Sequence, residues 1–340
     1  MRTEPITRKE KNEQYFRGGN MAKKESRKEI VSQRDVPKAA GTGAETTPPA
    51  PGKPLAGMIE MHVHPQPDIT PRSGNDIDLA VKAREEGMRA ILLKNHEFIT
   101  NDRAYLVRQA VPGVEVFGGL VLNEPVGGIN PAAVESFLKF SGGCGRCVWL
   151  PTRDSAYQKT VEKKEGGVRV TDGSGQVLPE VRRVMRMAAK ADVILGTGHV
   201  SPQESLAVVK AAREEGVRKV VVTHAMQDPL LMTLDDMKRC VETGAVIEHC
   251  YYSTLIGPYS ALPAARGRKQ VSMDEFAGAI REVGAENCFI STDLGQALNP
   301  IPAEGLKHFI AELAKRGITK EQIFMLVAGN PARLLGLEPF

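Results

Sequence analysis

Eight short apolar runs alternating with amphipathic segments predict an α/β fold of the (β/α)8 barrel class, preceded by a disordered N-terminal tail. The runs are MIEMHV (58–63), RAILLK (89–94), VEVFGGLVL (114–122), CVWLP (147–151), DVILGT (192–197), KVVVTH (219–224), AVIEHC (245–250) and CFIST (288–292). Near-continuous apolar runs of this length fit strands buried on both faces, as in a parallel sheet. The segment they span is of barrel size. An open doubly wound sheet is the alternative, but GxGxxG is missing after the first run, which ends in His62-Val-His64-Pro instead.

Helices are expected between most of the runs. Asp76 to Gly87 places apolar residues on one face and ends in glycine. Ser201-Pro-Gln-Glu204 and Ser272-Met-Asp-Glu275 read as capping boxes, the first with proline at the opening helical position. Pro179 to Ala191, Leu234 to Thr243 and Ala303 to Arg316 continue the ring, and Pro131-Ala-Ala-Val opens a helix after the third run. Two long connections, 153–178 and 251–271, leave the carboxyl ends of strands, where barrels place their substrate loops. Gly166-Gly167 is expected to turn a small hairpin in the first of them.

Residues 1–55 are charged, then rich in proline, glycine and threonine (GTGAETTPPAPGKP). Such a segment buries too little apolar surface to offset its ordering entropy. The expected organisation is therefore a tail over 1–55 and a barrel over 56–340.

The whole chain has 340 residues, 25% of them charged, with a formal net charge of +4. Its basic excess sits mostly in the tail, so nucleic acid is not an expected partner. No apolar run approaches the roughly 20 residues that span a bilayer, and the N-terminus lacks the apolar core of a secretory signal. Five cysteines without a disulfide pattern point to a reducing cytoplasm. The lone Cys144-Gly-Arg-Cys147 reads as two small residues entering a buried strand.

The chemistry gathers at strand ends. Of seven histidines, His62 and His64 end the first run, His96 follows the second, His199 the fifth and His224 the sixth. His249 lies in the seventh, and only His308 falls mid-helix. Topology thus brings six toward one rim. Residues two apart on a strand share a side, so His62 and His64 reach the barrel mouth together. Neutral imidazole is a ligand for zinc and similar ions, and Asp293, ending the last run in Ser291-Thr-Asp-Leu-Gly, adds a carboxylate.

His62-x-His64, one histidine after each of strands five and six, and an aspartate after strand eight resemble the amidohydrolase superfamily. Asn330-Pro-Ala-Arg-Leu-Leu-Gly336 resembles its closing helix. The resemblance implies a metal-dependent hydrolase that uses metal-activated water on an amide, lactam, lactone or related bond of a small molecule. A metal-dependent decarboxylase or a phosphoesterase is the alternative. It implies one or two divalent ions, zinc before manganese or iron, on His62, His64, His199, His224 and Asp293. His224 either binds metal or touches substrate, and Asp293 also takes a proton from the water.

One departure is the lack of a bridging lysine or glutamate after strand four, which ends Trp149-Leu-Pro-Thr-Arg153-Asp154. Lys94 could substitute as a carboxylated bridge, bind a substrate anion as a cation, or point outward. His96, Lys94, Arg153 and Tyr251 are the candidate substrate contacts. Ala90 to His96 is also similar to the polymerase-and-histidinol-phosphatase family, but the Asp-x-His pair of that family is absent after Asp293. A barrel that binds metal without catalysis is the remaining class, and a homo-oligomer is compatible with the sequence.

Overall fold

The computed structural model describes residues 52–339. The strands are β1 (Ile59–Val63), β2 (Ala90–Leu93), β3 (Glu115–Val121), β4 (Gly145–Trp149), β5 (Ile194–Gly196), β6 (Val220–Val222), β7 (Ala245–Cys250) and β8 (Cys288–Ser291). They pair in parallel in sequence order as one eight-stranded sheet, and each predicted run overlaps one strand, β4 starting two residues before its run. The helices are α1 (Asp76–Glu85), α2 (Asn101–Ala110), α3 (Pro131–Lys139), α4 (Ala156–Val161), α5 (Pro179–Ala191), α6 (Pro202–Glu214), α7 (Leu234–Glu242), α8 (Met273–Val283), α9 (Pro302–Lys315), α10 (Lys320–Phe324) and α11 (Asn330–Leu335).

Side chains alternate across the barrel wall. Ile59, Met61, Leu92, Phe117, Trp149, Val221 and Phe289 fill the interior, and Ala332, Leu334 and Leu335 of α11 join them. The alternate residues, among them Leu93, Val148, Leu195 and Ile290, pack outward against the helices. Both predicted capping boxes form, at Ser201 and Ser272. Each cap satisfies otherwise orphaned N–H groups and contributes about 1 kcal/mol.

The ring is held differently where β8 meets β1. One isolated bridge, Val63 to Leu294, and the His64 N–H bond to the Leu294 carbonyl (2.8 Å) join them at the top. Below these, the Glu60 carboxylate fills the gap, and its Oε1 accepts the N–H groups of His62 and Thr292, each at 3.0 Å. The register between β1 and β2 shifts between Glu60 and Val63. This bulge turns His62 inward directly after inward-facing Met61.

Residues 1–51 of the expected tail lie outside the described residues. Leu55, which composition placed in that tail, is buried in the core and bonds through its N–H to the Glu86 carbonyl. The expected hairpin at Gly166-Gly167 is not there. The antiparallel bridge joins Thr171 to Val177, and the turn runs through Asp172 to Gln176, where the Asp172 carboxylate accepts the Ser174 and Gln176 N–H groups. Cys144 and Cys147 pack on opposite sides of the wall, so they form no pair.

A candidate metal centre at the strand ends

His62 ends β1 with its ring inside the barrel. Its Nδ1 lies 3.0 Å from Glu248 Oε1 on β7, which fixes the tautomer and leaves the Nε2 lone pair facing the mouth. His64 Nε2 stands 3.2 Å from His62 Nε2, and Asp293 Oδ1 stands 3.0 Å from His64 Nε2 and 3.2 Å from His62 Nε2. Ligands of one tetrahedral ion at ~2.0–2.2 Å lie about 3.3–3.6 Å apart, so the three atoms already have nearly that spacing. Lys94 Nζ is 3.0 Å from His62 Nε2 and 5.0 Å above the Trp149 ring. Across the mouth, His199 Nε2 and His224 Nε2 are 3.0 Å apart.

The electrostatics suit a cation. Burial pushes the pKa of His64, His96 and His199 well below the usual value and that of His224 down to about 4. These rings are therefore neutral near pH 7, with lone pairs to donate. Burial raises the Asp293 carboxyl, but electrostatic attraction to the His62 ring and the hydrogen bond from His64 outweigh it and hold Asp293 well below its usual range. Burial also lowers Lys94. His64 Nδ1 and His224 Nδ1 are buried without partners. Imidazole nitrogens crowded against a carboxylate fit a divalent metal ion better than they fit one another. Cys250 stands near His62 and Glu248 as well, but burial drives its thiol far up. A protonated thiol is a poor ligand.

Strand geometry explains how the outer ligands reach the mouth. His224 (φ +30°) and Asp293 (φ +54°) both occupy the left-handed region that non-glycine residues rarely adopt. Gly295, at φ +135°, lets the loop after β8 lie against β1, because a Cβ there would sit 1.9 Å from the His64 carbonyl oxygen. Gln227 Nε2 donates to Asp293 Oδ2 at 3.0 Å, and Ser253 Oγ donates to Gln227 Oε1 at 2.9 Å. His199 Nδ1 lies 2.8 Å from Gln158 Oε1.

Above the cluster opens a cavity of about 820 Å³, lined by His64, Lys94, His96, Arg153, His199, Gln227, Tyr252 and Asp293 among others. His96 stacks on His64 (4.7 Å) and bonds through Nδ1 to Thr152 Oγ1 at 3.0 Å. Two expectations need correction. Tyr251 does not line the cavity: it is buried against Phe309 of α9, and its neighbour Tyr252 faces the cavity instead. His249 does not reach the rim. On β7 the inward positions are Val246, Glu248 and Cys250, so His249 points outward onto Phe276 of α8.

Four residues of the site were missed in the sequence: Glu60, Glu248, Gln227 and Arg72. The two glutamates carried a signal, each being a carboxylate inside an apolar strand run (MIEMHV, AVIEHC), where a charge needs a partner. Gln227 and Arg72 lie on loops and carried none.

Solved structures share this barrel. An amidohydrolase from Pseudomonas aeruginosa superposes with a TM-score of 0.55 at 13% identity, covering 83% of this chain and 98% of that one. The organophosphorus hydrolase from Deinococcus radiodurans gives 0.53 at 16% identity, covering 82% and 92%. The 2,6-dihydroxybenzoate decarboxylase from Rhizobium gives 0.51 at 14% identity, covering 83% and 99%. At these identities the likeness establishes the fold alone, a (β/α)8 barrel. No curated protein matches the sequence. Residues 57–248, more than half of the chain, match a family of unknown function. That stretch holds the clustered histidines and Glu248 and stops short of Asp293. The chain belongs to this family, DUF6282.

Proposed function

We propose that the chain is a divalent-metal-dependent hydrolase that directs water onto an amide, lactam, lactone or related bond of a small molecule. The observation that carries this reading is the convergence of His62 Nε2, His64 Nε2 and Asp293 Oδ1 within 3.0–3.2 Å of one another at the floor of an open cavity. A divalent ion held by these three atoms, zinc by the chemistry of the donors with manganese or iron as alternatives, would lower the pKa of water and polarise the bond under attack.

The chain's own residues do the rest. Asp293 steers the attacking water and receives its proton at Oδ2, the oxygen that Gln227 holds in place. Glu248 keeps the His62 ring in its ligating tautomer. His199 and His224 would hold a second ion; with one ion only, His199 would join the first centre and His224 would meet the substrate. Lys94 would either take up carbon dioxide as a carbamate and serve as a bridging ligand, which its burial-lowered pKa favours, or bind a substrate anion. Arg153, His96 and, in place of Tyr251, Tyr252 form the substrate walls. Five buried free cysteines support a reducing cytoplasm, and no helix among the described residues is long and apolar enough to cross a membrane.

The test is to reconstitute metal-free protein with zinc, manganese or iron, count bound ions, and screen lactones, cyclic amides and phosphoesters. Turnover that needs the metal and fails in His62→Ala supports the reading; a protein that binds no divalent ion at this site sinks it. Metal-dependent decarboxylation is the second reading, favoured because His199 and His224 have no carboxylate ligand of their own. Release of carbon dioxide from aromatic or short-chain acids would select it.

A further inference from the structure

Three arginines face the cavity, and they differ in what they already hold. Arg268 stands 3.5 Å from Glu162 and donates to the Asp228 carbonyl at 3.3 Å. Arg72 donates through Nη2 to Asp68 at 2.9 Å, while its Nε is buried without a partner. Arg153 makes no hydrogen bond or ion pair with any described residue.

Arg153 is not a loosely placed surface cation. Its backbone is pinned on both sides. Before it, the Thr152 N–H donates to Asn123 Oδ1 (2.8 Å), and Asn123 Nδ2 donates to Thr152 Oγ1 (2.9 Å). After it, Asp154 accepts the Glu124 N–H (3.2 Å) and pairs with Lys159 (3.0 Å). Ser155 Oγ donates to the His199 carbonyl. Burial and then repulsion from Arg72 lower the Arg153 pKa, yet guanidinium stays charged at neutral pH. Three acids act on it. Asp68 is engaged with Arg72, Thr70 and Asn95 and Asp293 with His62, His64 and Gln227, while Glu97, on the same cavity wall, attracts Arg153 without forming an ion pair with it. A partly desolvated guanidinium held rigid with no acceptor in hydrogen-bond reach is unfavourable unless a ligand supplies one.

We infer that Arg153, with Arg72 beside it, binds a terminal oxyanion, a carboxylate or a phosphate, on the molecule processed below, so the substrate class is an acidic small molecule. A planar fork matches either oxyanion with two parallel hydrogen bonds. That the anion belongs to a substrate rests on the hydrolase reading; the anion site itself does not.

Calorimetric titration with inorganic phosphate, and separately with benzoate, tests this in both metal-loaded and chelated protein. Wild type binds at least one of the two in both states, and which one it prefers identifies the oxyanion. Arg153→Met weakens that binding by roughly tenfold or more in both states, Arg153→Lys falls between, and Arg72→Met also weakens it. Melting curves confirm that the variants are folded. Neither anion bound by wild type, or affinities unchanged in Arg153→Met, overturns the inference, the latter because the anion is then held by other groups. If Arg153-dependent binding is found but no acidic ester, amide, lactone or phosphoester is turned over, the hydrolase reading falls and the anion site stands.

Discussion

Glu248 Oε1 lies 3.0 Å from His62 Nδ1, while Glu248 Oε2 accepts the backbone N–H of His224 at 3.0 Å. One carboxylate on β7 thus positions a residue from each side of the mouth. Burial would raise its pKa, but electrostatic attraction to the His62 ring and their hydrogen bond bring it down to about 2. Ser291 Oγ adds a third donor at 2.8 Å. Carboxylates of this kind behind a ligating histidine are worth ~10–100-fold in metal affinity. Glu248→Ala is expected to lose that much affinity in a competitive chelator titration. An unchanged affinity would show that His62 does not ligate.

His249 offers a pH prediction away from the metal centre. Both its ring nitrogens are buried without partners, and burial lowers its pKa to about 4. The unfolded chain, near 6.5, binds the proton more readily than the folded one. Stability that is present above about pH 6.5 is therefore lost as pH falls toward 4, by up to about 3 kcal/mol from this residue. His249→Leu should flatten that part of the stability curve and match or exceed wild type at pH 7, since it removes two unsatisfied polar atoms. Urea melts of metal-free protein at pH 5 and 7 measure both. A variant with the wild-type slope would assign the acid sensitivity elsewhere.

The barrel was legible because parallel strands buried on both faces leave unbroken apolar runs, and each of the eight runs overlaps a strand. The ligand histidines were legible because the barrel topology collects strand ends. Which way each side chain points was less so. His249 and Glu248 are neighbours of opposite direction, and without a register one cannot tell which faces in. Met61 and His62 both face in because of a bulge that local composition does not announce. Tyr251 and Tyr252 differ by one position on a 3₁₀ turn, where strand alternation no longer applies.

Glu60 should act as a brace for the β8–β1 junction through hydrogen bonding rather than charge. Burial raises its pKa to about 8, so at pH 7 the group is largely protonated. Glu60→Gln keeps an acceptor oxygen for the His62 and Thr292 N–H groups and should stay within about 1 kcal/mol of wild type. Glu60→Leu leaves two buried N–H groups unpaired, at ~1–3 kcal/mol each. Denaturant melts of the metal-free protein separate the two. Equal losses in both variants would mean that the negative charge matters.

Asp293→Asn should affect rate far more than fold. Asp293 follows β8, whose residues Phe289 and Ile290 pack on the two sides of the barrel wall without it. Its carboxylate faces His62 and His64 through Oδ1 and Gln227 through Oδ2. An asparagine amide cannot serve both sides. If its oxygen accepts from Gln227, its NH₂ meets the two histidine nitrogens where a cation belongs. If it turns over, Gln227 faces a donor. Either way the site loses a charge and a base. General acid–base help is worth ~10²–10⁴ in rate, and weaker water activation adds to that. The variant should melt within a few degrees of wild type, bind metal more weakly through the remaining histidines, and lose at least ~10²-fold in turnover. Metal content after dialysis and kcat on a substrate from the screen give both readings. Near-normal kcat with metal still bound would remove Asp293 from the chemistry while leaving the barrel and its metal in place.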